Sequence, residues 1–398
     1  MSLFRVCKNL YAGSYARLCI LFFIMTLAMQ SLTLAIGMLR YNRQIEKQIA
    51  NLQSLHGVYL SHFEQDDASY ENQTVLMEIA EIEQLVGVRK VTTTPSLSVT
   101  YQNKDYTIIV FDDVLSQYFS PWDISGEGLA DKNDVLISGY RKTLLKQNAK
   151  ISFLPSQSNE DAISYSFNIA GFLRRSSYVP KFSRSNNQLA LSGMLYPAYG
   201  HTGNYMIISE QSDFYKSNRD SFYVYRNLLI LFDEDISSEA EQELLVNLSA
   251  RGLVMEFDEI KQNTLDECQA SSFTVKYLIL FSFMTLVLIV GISISVVQEK
   301  HRELAVYSIC GCGRISKIIL SSMGIALTTI VSFLFQSVMI QHYFDLRLYR
   351  YFEHVVVDNC SIGIIAGYAL LVCFVCAVSS YCMNGRRELV YYLQENRK

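Results

Sequence analysis

The dipeptide Gly-Lys occurs nowhere in this 398-residue chain, so no GxxxxGK[ST] loop is available to cradle a nucleotide's phosphates. HExxH and GxSxG are missing as well, which excludes a helix-borne zinc hydrolase and a nucleophile elbow. Cysteine is scarce where an oxidised fold would use it. Of the nine, only Cys268 lies between residues 40 and 275, so that stretch has no internal disulfide. A Cys268–Cys360 bridge is the one pairing left open, and nothing in the spacing favours it. The histidines of the stretch (His56, His62, His201) stand at no ligand spacing, and Cys310 with Cys312 lacks further partners for zinc. Asp112-Asp113 and Asp233-Glu234-Asp235 fall at strand ends, where solvated turns explain them better than calcium does. No catalytic, cofactor-binding or metal-binding residue is expected.

Charge is also missing, and in a pattern. Four windows hold no ionisable residue: Leu18–Leu39, Tyr277–Val297, Ile318–Ile340 and Cys360–Met383. About 20 helical residues cross a bilayer core, so four membrane helices are expected. Their most polar side chains are Gln30 and Gln336, too little for the ionisable relay that a coupled transporter needs. Residues 41–275 carry 19 Lys and Arg against 31 Asp and Glu, whereas the rest carries 15 against 7. An acidic body is attached to a cationic membrane part, and an acidic body excludes nucleic acid as its partner.

Lys and Arg in the short flanks set the orientation. Arg5, Lys8 and Arg17 precede the first window, and Lys300, Arg302, Arg314 and Lys317 follow the second. Arg386, Arg387, Arg397 and Lys398 close the chain, while 341–359 has only Arg347 and Arg350. Both termini and 298–317 are therefore expected in the cytoplasm, with residues 40–275 outside. Arg5 to Gly37 also fits a signal peptide with a small-residue site at Ala35-Ile36-Gly37, but the apolar run is long for one.

The expected order follows. Residues 1–17 form an amphipathic helix on the inner surface, 18–39 the first span and 40–275 the outer domain. Residues 276–297 form the second span, 298–317 a cytoplasmic helix and loop, and 318–340 the third span. A short outer loop (341–359), the fourth span (360–383) and a cytoplasmic tail (384–398) complete the chain. Ile45, Ile49, Leu52, Leu55 and Tyr59 recur at spacings of four and three, which predicts a stalk continuing the first span; Glu256–Ser271 is its candidate return. Within the outer domain, Val75, Ile79, Ile82 and Val86 predict a helix broken at Gly87. "VRKVTTT", "SLSVTY" and "YTIIVFD" read as strands. Later, "YVYRNLLILFD" and "LVMEF" read as strands around a helix carrying Ala240, Leu244 and Leu248, capped by Asp235 or Ser237. The fold class is therefore a four-helix membrane protein with a large extracytoplasmic α+β domain. That domain is built from about 72–118 and 216–258, around a β-rich insert at about 119–215.

Small residues in the spans, among them Gly291, Ser293 and Ser321, suit close helix approach. Between the second and third windows, "QEKHRELAVYSICGCGRISKII" has room for about three helical turns and then glycines at a change of direction. It reads either as a juxtamembrane loop or as a docking helix for a cytoplasmic partner.

This run resembles the signature of the FtsX/MacB-like permeases of ABC transporters, through Arg302, Glu303, Leu304, Val306, Gly311 and Arg314. "LVGVRKV", "GEGLADKNDVLIS" and "FNIAGFL" are similar to that family's outer domain, and one span, a large outer domain and three spans is its order. Ser308, Cys310, Cys312 and Gly313 depart from its commoner residues. The resemblance implies an ATPase-coupling helix formed by Glu299, Lys300, Arg302, Glu303, Leu304, Val306, Tyr307, Gly311 and Arg314. It implies a separate ABC-type ATPase subunit that binds ATP and a second permease chain, identical or different. An extracytoplasmic accessory protein or a peptide, antibiotic or lipoprotein substrate completes the set. Such a subunit is not itself an enzyme. The other class that the residues leave open is a membrane-anchored sensor or scaffold with no ATPase coupling.

Overall fold

In the computed structural model the uncharged window Leu18–Leu39 lies inside one helix of 38 residues, α1 (Tyr15–Leu52). The structure describes residues 15–52, 54–62, 72–101, 104–121, 124–138, 150–153, 165–174, 177–182, 190–198, 204–299, 303, 306, 313–342 and 355–386. The expected N-terminal amphipathic helix (but for its last three residues), most of the 341–359 loop and the C-terminal tail lie outside them. The chain divides into two units: residues 1–39 with 271–398, and residues 40–270.

The first is a helical unit. Among the described residues, four helices are long and apolar enough to cross a membrane, over Tyr15–Leu52, Phe257–Val296, Ile318–Gln341 and Asn359–Cys382. Here α7 is Phe257–Glu299, α8 is Arg314–Gln341 and α9 is Asn359–Arg386. Each contributes to one core: Leu21 and Met25 from α1, Ile289 from α7, Ile325 from α8, Val372 and Cys376 from α9. Their outward faces stay apolar, as at Phe283, Leu334 and Leu370, which is the pattern of a bundle solvated by lipid. Ser293 and Ser321 are buried as close approach requires, whereas a side chain at Gly291 would meet open space. Ahead of α9, Val355, Val356 and Val357 are buried, and the Val356 amide donates to the Gly37 carbonyl of α1 at 3.1 Å.

The second unit carries the sheets. The expected stalk is helical only to Leu52; Leu55 and Tyr59 fall outside it, and β1 (Gly57–His62) begins instead. Gly57 explains the change: a Cβ there would sit 2.1 Å from the Ile230 carbonyl oxygen, so only glycine lets the backbones approach. The return helix begins at Phe257 rather than at Glu256, and Asn42 Nδ2 donates to the Cys268 carbonyl at 3.3 Å.

Helix α2 (Asn72–Glu83) buries Val75, Ile79 and Ile82, but Val86 lies beyond its end and is 82% exposed. Gly87 takes φ +89°, the left-handed value that turns the chain, four residues past the helix end, into β2 (Val88–Thr92). Strand β3 (Ser96–Tyr101) pairs with β4 (Lys104–Phe111), followed by α3 (Asp113–Tyr118). Then come β5 (Ile124–Gly126), β6 (Asp134–Ser138), β7 (Lys150–Phe153), β8 (Tyr165–Leu173) and β9 (Tyr178–Pro180). After α4 (Leu191–Met194), β10 (Leu195–Pro197) and β11 (Asn204–Ser209) comes α5 (Asp213–Ser217). The unit closes with β12 (Leu228–Phe232), α6 (Ser238–Ser249) and β13 (Gly252–Glu256).

One antiparallel sheet has the order β13-β1-β12-β2, with α2 and α6 packed on the face of Val58, Leu60 and Ile230. Ser237 caps α6 through the Ala240 amide, and only Leu228–Phe232 of "YVYRNLLILFD" is strand. The second sheet runs β3-β4-β11-β6-β8-β5, with β7 also on β8. So β3 and β4, expected in the subdomain of 72–118 and 216–258, join the sheet of the expected insert, through the pairing of β4 with β11. The reason lies in β4, where Ile108 and Ile109 point to opposite faces and both are fully buried. A strand apolar on both faces belongs in the middle of a layered sheet.

Candidate functional site

Of the expected coupling residues, Glu299 ends α7, Glu303 and Val306 are helical and exposed, and Arg314 opens α8. Lys300, Arg302, Leu304, Tyr307 and Gly311 lie outside the described residues. Gly313, at the N-cap of α8, has extended backbone (φ −66°, ψ 164°). The Arg17 guanidinium, near the start of α1, pairs with the Glu299 carboxylate. The two side chains are 47% and 45% exposed, which in water limits the pair to at most about 1 kcal/mol. Its significance is positional: it ties the start of α1 to the end of α7. A signal was available in the sequence, because Arg17 precedes the first uncharged window and Glu299 follows the second.

Within the spans, polar atoms meet between α1 and α8. Gln336 Nε2 donates to Gln30 Oε1, Thr329 Oγ1 to Met25 Sδ at 3.3 Å, and Ser332 Oγ to the Phe22 carbonyl at 3.3 Å. Between α7 and its neighbours, Ser282 Oγ donates to the Ala28 carbonyl at 3.3 Å and Ser293 Oγ contacts Cys376 Sγ at 3.1 Å.

In the sheet unit a cleft of about 640 Å³ opens between the two sheets. Leu76, Ile79, Val91, Val110 and Val224 give it an apolar floor, and Lys216 and Arg219 line it as well. Such a volume suits a small ligand or a short peptide segment. Beside it, Lys90 of β2 reaches across to the other sheet. Its ammonium pairs with Asp113, lies 3.5 Å from Asp112 Oδ2 and 3.9 Å from Glu210 Oε2. Asp112 also caps α3 through the Leu115 amide at 2.7 Å and accepts from Thr92 Oγ1 at 2.8 Å.

The next two threonines continue the fastening. Thr93 Oγ1 donates to the Tyr225 carbonyl at 3.2 Å, and Thr94 Oγ1 accepts from the Phe182 amide at 2.9 Å. Burial acts first on these ionisable groups. It pushes Asp112 and Glu210 above the usual carboxylate range, against the pull of Lys90. It would lower Lys90, yet Asp113, Asp112 and Glu210 together hold that ammonium above its ordinary value. Asp113 ends below its ordinary value because Lys90 outweighs its partial burial.

Asp112, Asp113 and Glu210 are close enough to share a cation. The sequence pointed to the Asp112-Asp113 pair but not to Glu210, which comes from the end of β11. Lys90 already supplies the positive charge between them, so the cluster reads as an ion-pair joint between two sheets.

No family model matches the chain, and no curated protein matches it. Among solved structures it is similar to the periplasmic region of MacB from Actinobacillus actinomycetemcomitans. The TM-score is 0.30 at 10% identity, covering 55% of this chain and 97% of that one. It is also similar to the extracellular domain of the noncanonic ABC-type transporter YknZ from Gram-positive bacteria. There the TM-score is 0.25 at 10% identity, covering 50% of this chain and 98% of the other.

Proposed function

We propose that this chain is the permease subunit of an ABC transporter of the mechanotransmission type. A separate ATPase seats against 298–314, and its nucleotide-driven closure moves that segment. A second permease chain provides the opposing half. The work reaches the extracytoplasmic unit, which exports or extracts a peptide, antibiotic or lipoprotein or activates an outside partner. In this reading the chain crosses the membrane four times, with both termini and 298–317 in the cytoplasm.

The observation that carries the reading is the pairing of uncharged spans with a short charged run between α7 and α8, in which Glu303 and Val306 are helical and exposed. Spans without ionisable groups have no proton relay, so the driving force must come from a bound partner.

The test is co-purification from native membranes. The wild-type chain is expected to retain an ABC-type ATPase subunit and to change its hydrolysis rate. Glu299→Lys with Glu303→Lys should lose that subunit by at least about tenfold, which corresponds to 1.4 kcal/mol, while still inserting and folding. Retention of the ATPase by this variant would remove the coupling assignment. A chain that never carries an ATPase would leave the sensor or scaffold.

A further inference from the structure

Among the described hydroxyls of the spans, Thr26 of α1 shares an unpaired state with Ser380 of α9. Its Oγ1 is buried and has no hydrogen-bond partner among the described residues. Its neighbours on α1 do not share this: Ser31 Oγ donates to the Leu27 carbonyl at 2.9 Å and Thr33 Oγ1 to the Met29 carbonyl at 2.8 Å. The equivalent carbonyl for Thr26 is that of Phe22, one turn back, and there Ser332 Oγ of α8 is already seated at 3.3 Å. An unpaired polar atom in a membrane interior is costly and calls for a reason.

The reason lies one turn along the same helix. Thr26 precedes Gln30 by four residues, so the two share one face of α1. Gln30 holds Gln336, which is 2% exposed. Sliding α8 toward the start of α1 by one turn, about 5.4 Å, would bring Gln336 to Thr26. The opposite slide would bring it to Leu34, which offers no polar atom.

We propose that Thr26 is a second seat for Gln336, and that α1 and α8 form a two-position ratchet with registers one helical turn apart. Registers in between leave the Gln336 amide unpaired in hydrocarbon, so the two seats are discrete. One-turn jumps of packed helices are an established kind of switching motion. The ratchet belongs to the helical unit alone and stands whether or not an ATPase drives the chain.

The test uses the full-length chain in membranes, with native cysteines replaced and a short bifunctional thiol reagent. The pair Gln30→Cys with Gln336→Cys should cross-link and serves as the control for folding. Thr26→Cys with Gln336→Cys should also cross-link, and Leu34→Cys with Gln336→Cys should give at least about tenfold less. Equal yields at 26 and 34, or none at 26 while 30 links, would overturn the ratchet.

A second measurement leaves the cysteines native. Thr26→Val should leave the thermal midpoint of the otherwise wild-type chain unchanged or raise it, because an unpaired hydroxyl is removed. In a Gln30→Leu background, where Thr26 is the remaining seat, the same change should lower it. A change of the same sign in both backgrounds would equally overturn the proposal.

Discussion

Lys90 is the residue on which the joint between the two sheets depends. Its side chain is 28% exposed and faces three carboxylates, two of which burial already holds above their ordinary range. Lys90→Met should cost roughly 1–3 kcal/mol, the usual range for losing hydrogen bonds to charged groups. The sign of the pH effect follows from linkage. Without Lys90, Asp112 and Glu210 rise further, so the folded chain binds more protons than the unfolded one just above the ordinary carboxylate range. The variant's thermal midpoint should therefore rise between pH 7 and pH 5, by more than that of the wild type. A midpoint that falls over this range in the variant would show that Lys90 does not hold these carboxylates charged. The sequence displayed "VTTTP" and Asp112-Asp113 in plain view. Their meeting was not legible, because it depends on Glu210, about a hundred residues further on, and on which sheet takes β4.

At the scale of elements, periodicity and glycine carried most of the information. Val75, Ile79 and Ile82 sit on the buried face of α2, as their spacing predicts. Val86 follows the same spacing yet lies outside, because Gly87 needs the turn before it to reach φ +89°. Gly87→Ala should therefore cost about 1–3 kcal/mol through backbone strain, with its Cβ also 2.3 Å from Ile236 Cδ1. Gly128→Ala, where a Cβ meets nothing within 4 Å, should leave the thermal midpoint unchanged. Sheet membership was harder to read than element type. Strands β2, β3 and β4 follow one another closely in the chain, and nothing local says that the layer changes at Thr93–Pro95. Pairing partners are set by burial on both faces, a property of the assembled layers. The helix–strand switch at Leu52–Gly57 was masked for a related reason, since Leu55 and Tyr59 continue the helical spacing by coincidence.

For the whole molecule, the four uncharged windows made the helical unit legible from composition alone, while the Arg17–Glu299 pair needed coordinates. The proposed orientation makes a direct prediction for chains reduced to one cysteine. With an impermeant thiol reagent on intact cells, Cys360 at the start of α9 should label, and Cys310 and Cys312 should label only after permeabilisation. Labelling of Cys310 or Cys312 from outside would invert the topology and place the 298–314 segment away from any cytoplasmic ATPase.

The Val356 amide on the Gly37 carbonyl has its own consequence at this scale. The stretch leading into α9 is clasped to the shaft of α1 by a main-chain bond that no side-chain change at Val356 other than proline can delete. While the clasp holds, α1 cannot spin about its long axis without dragging the entrance of α9 around with it. Torsion applied to α1 is thereby felt at the entrance of α9.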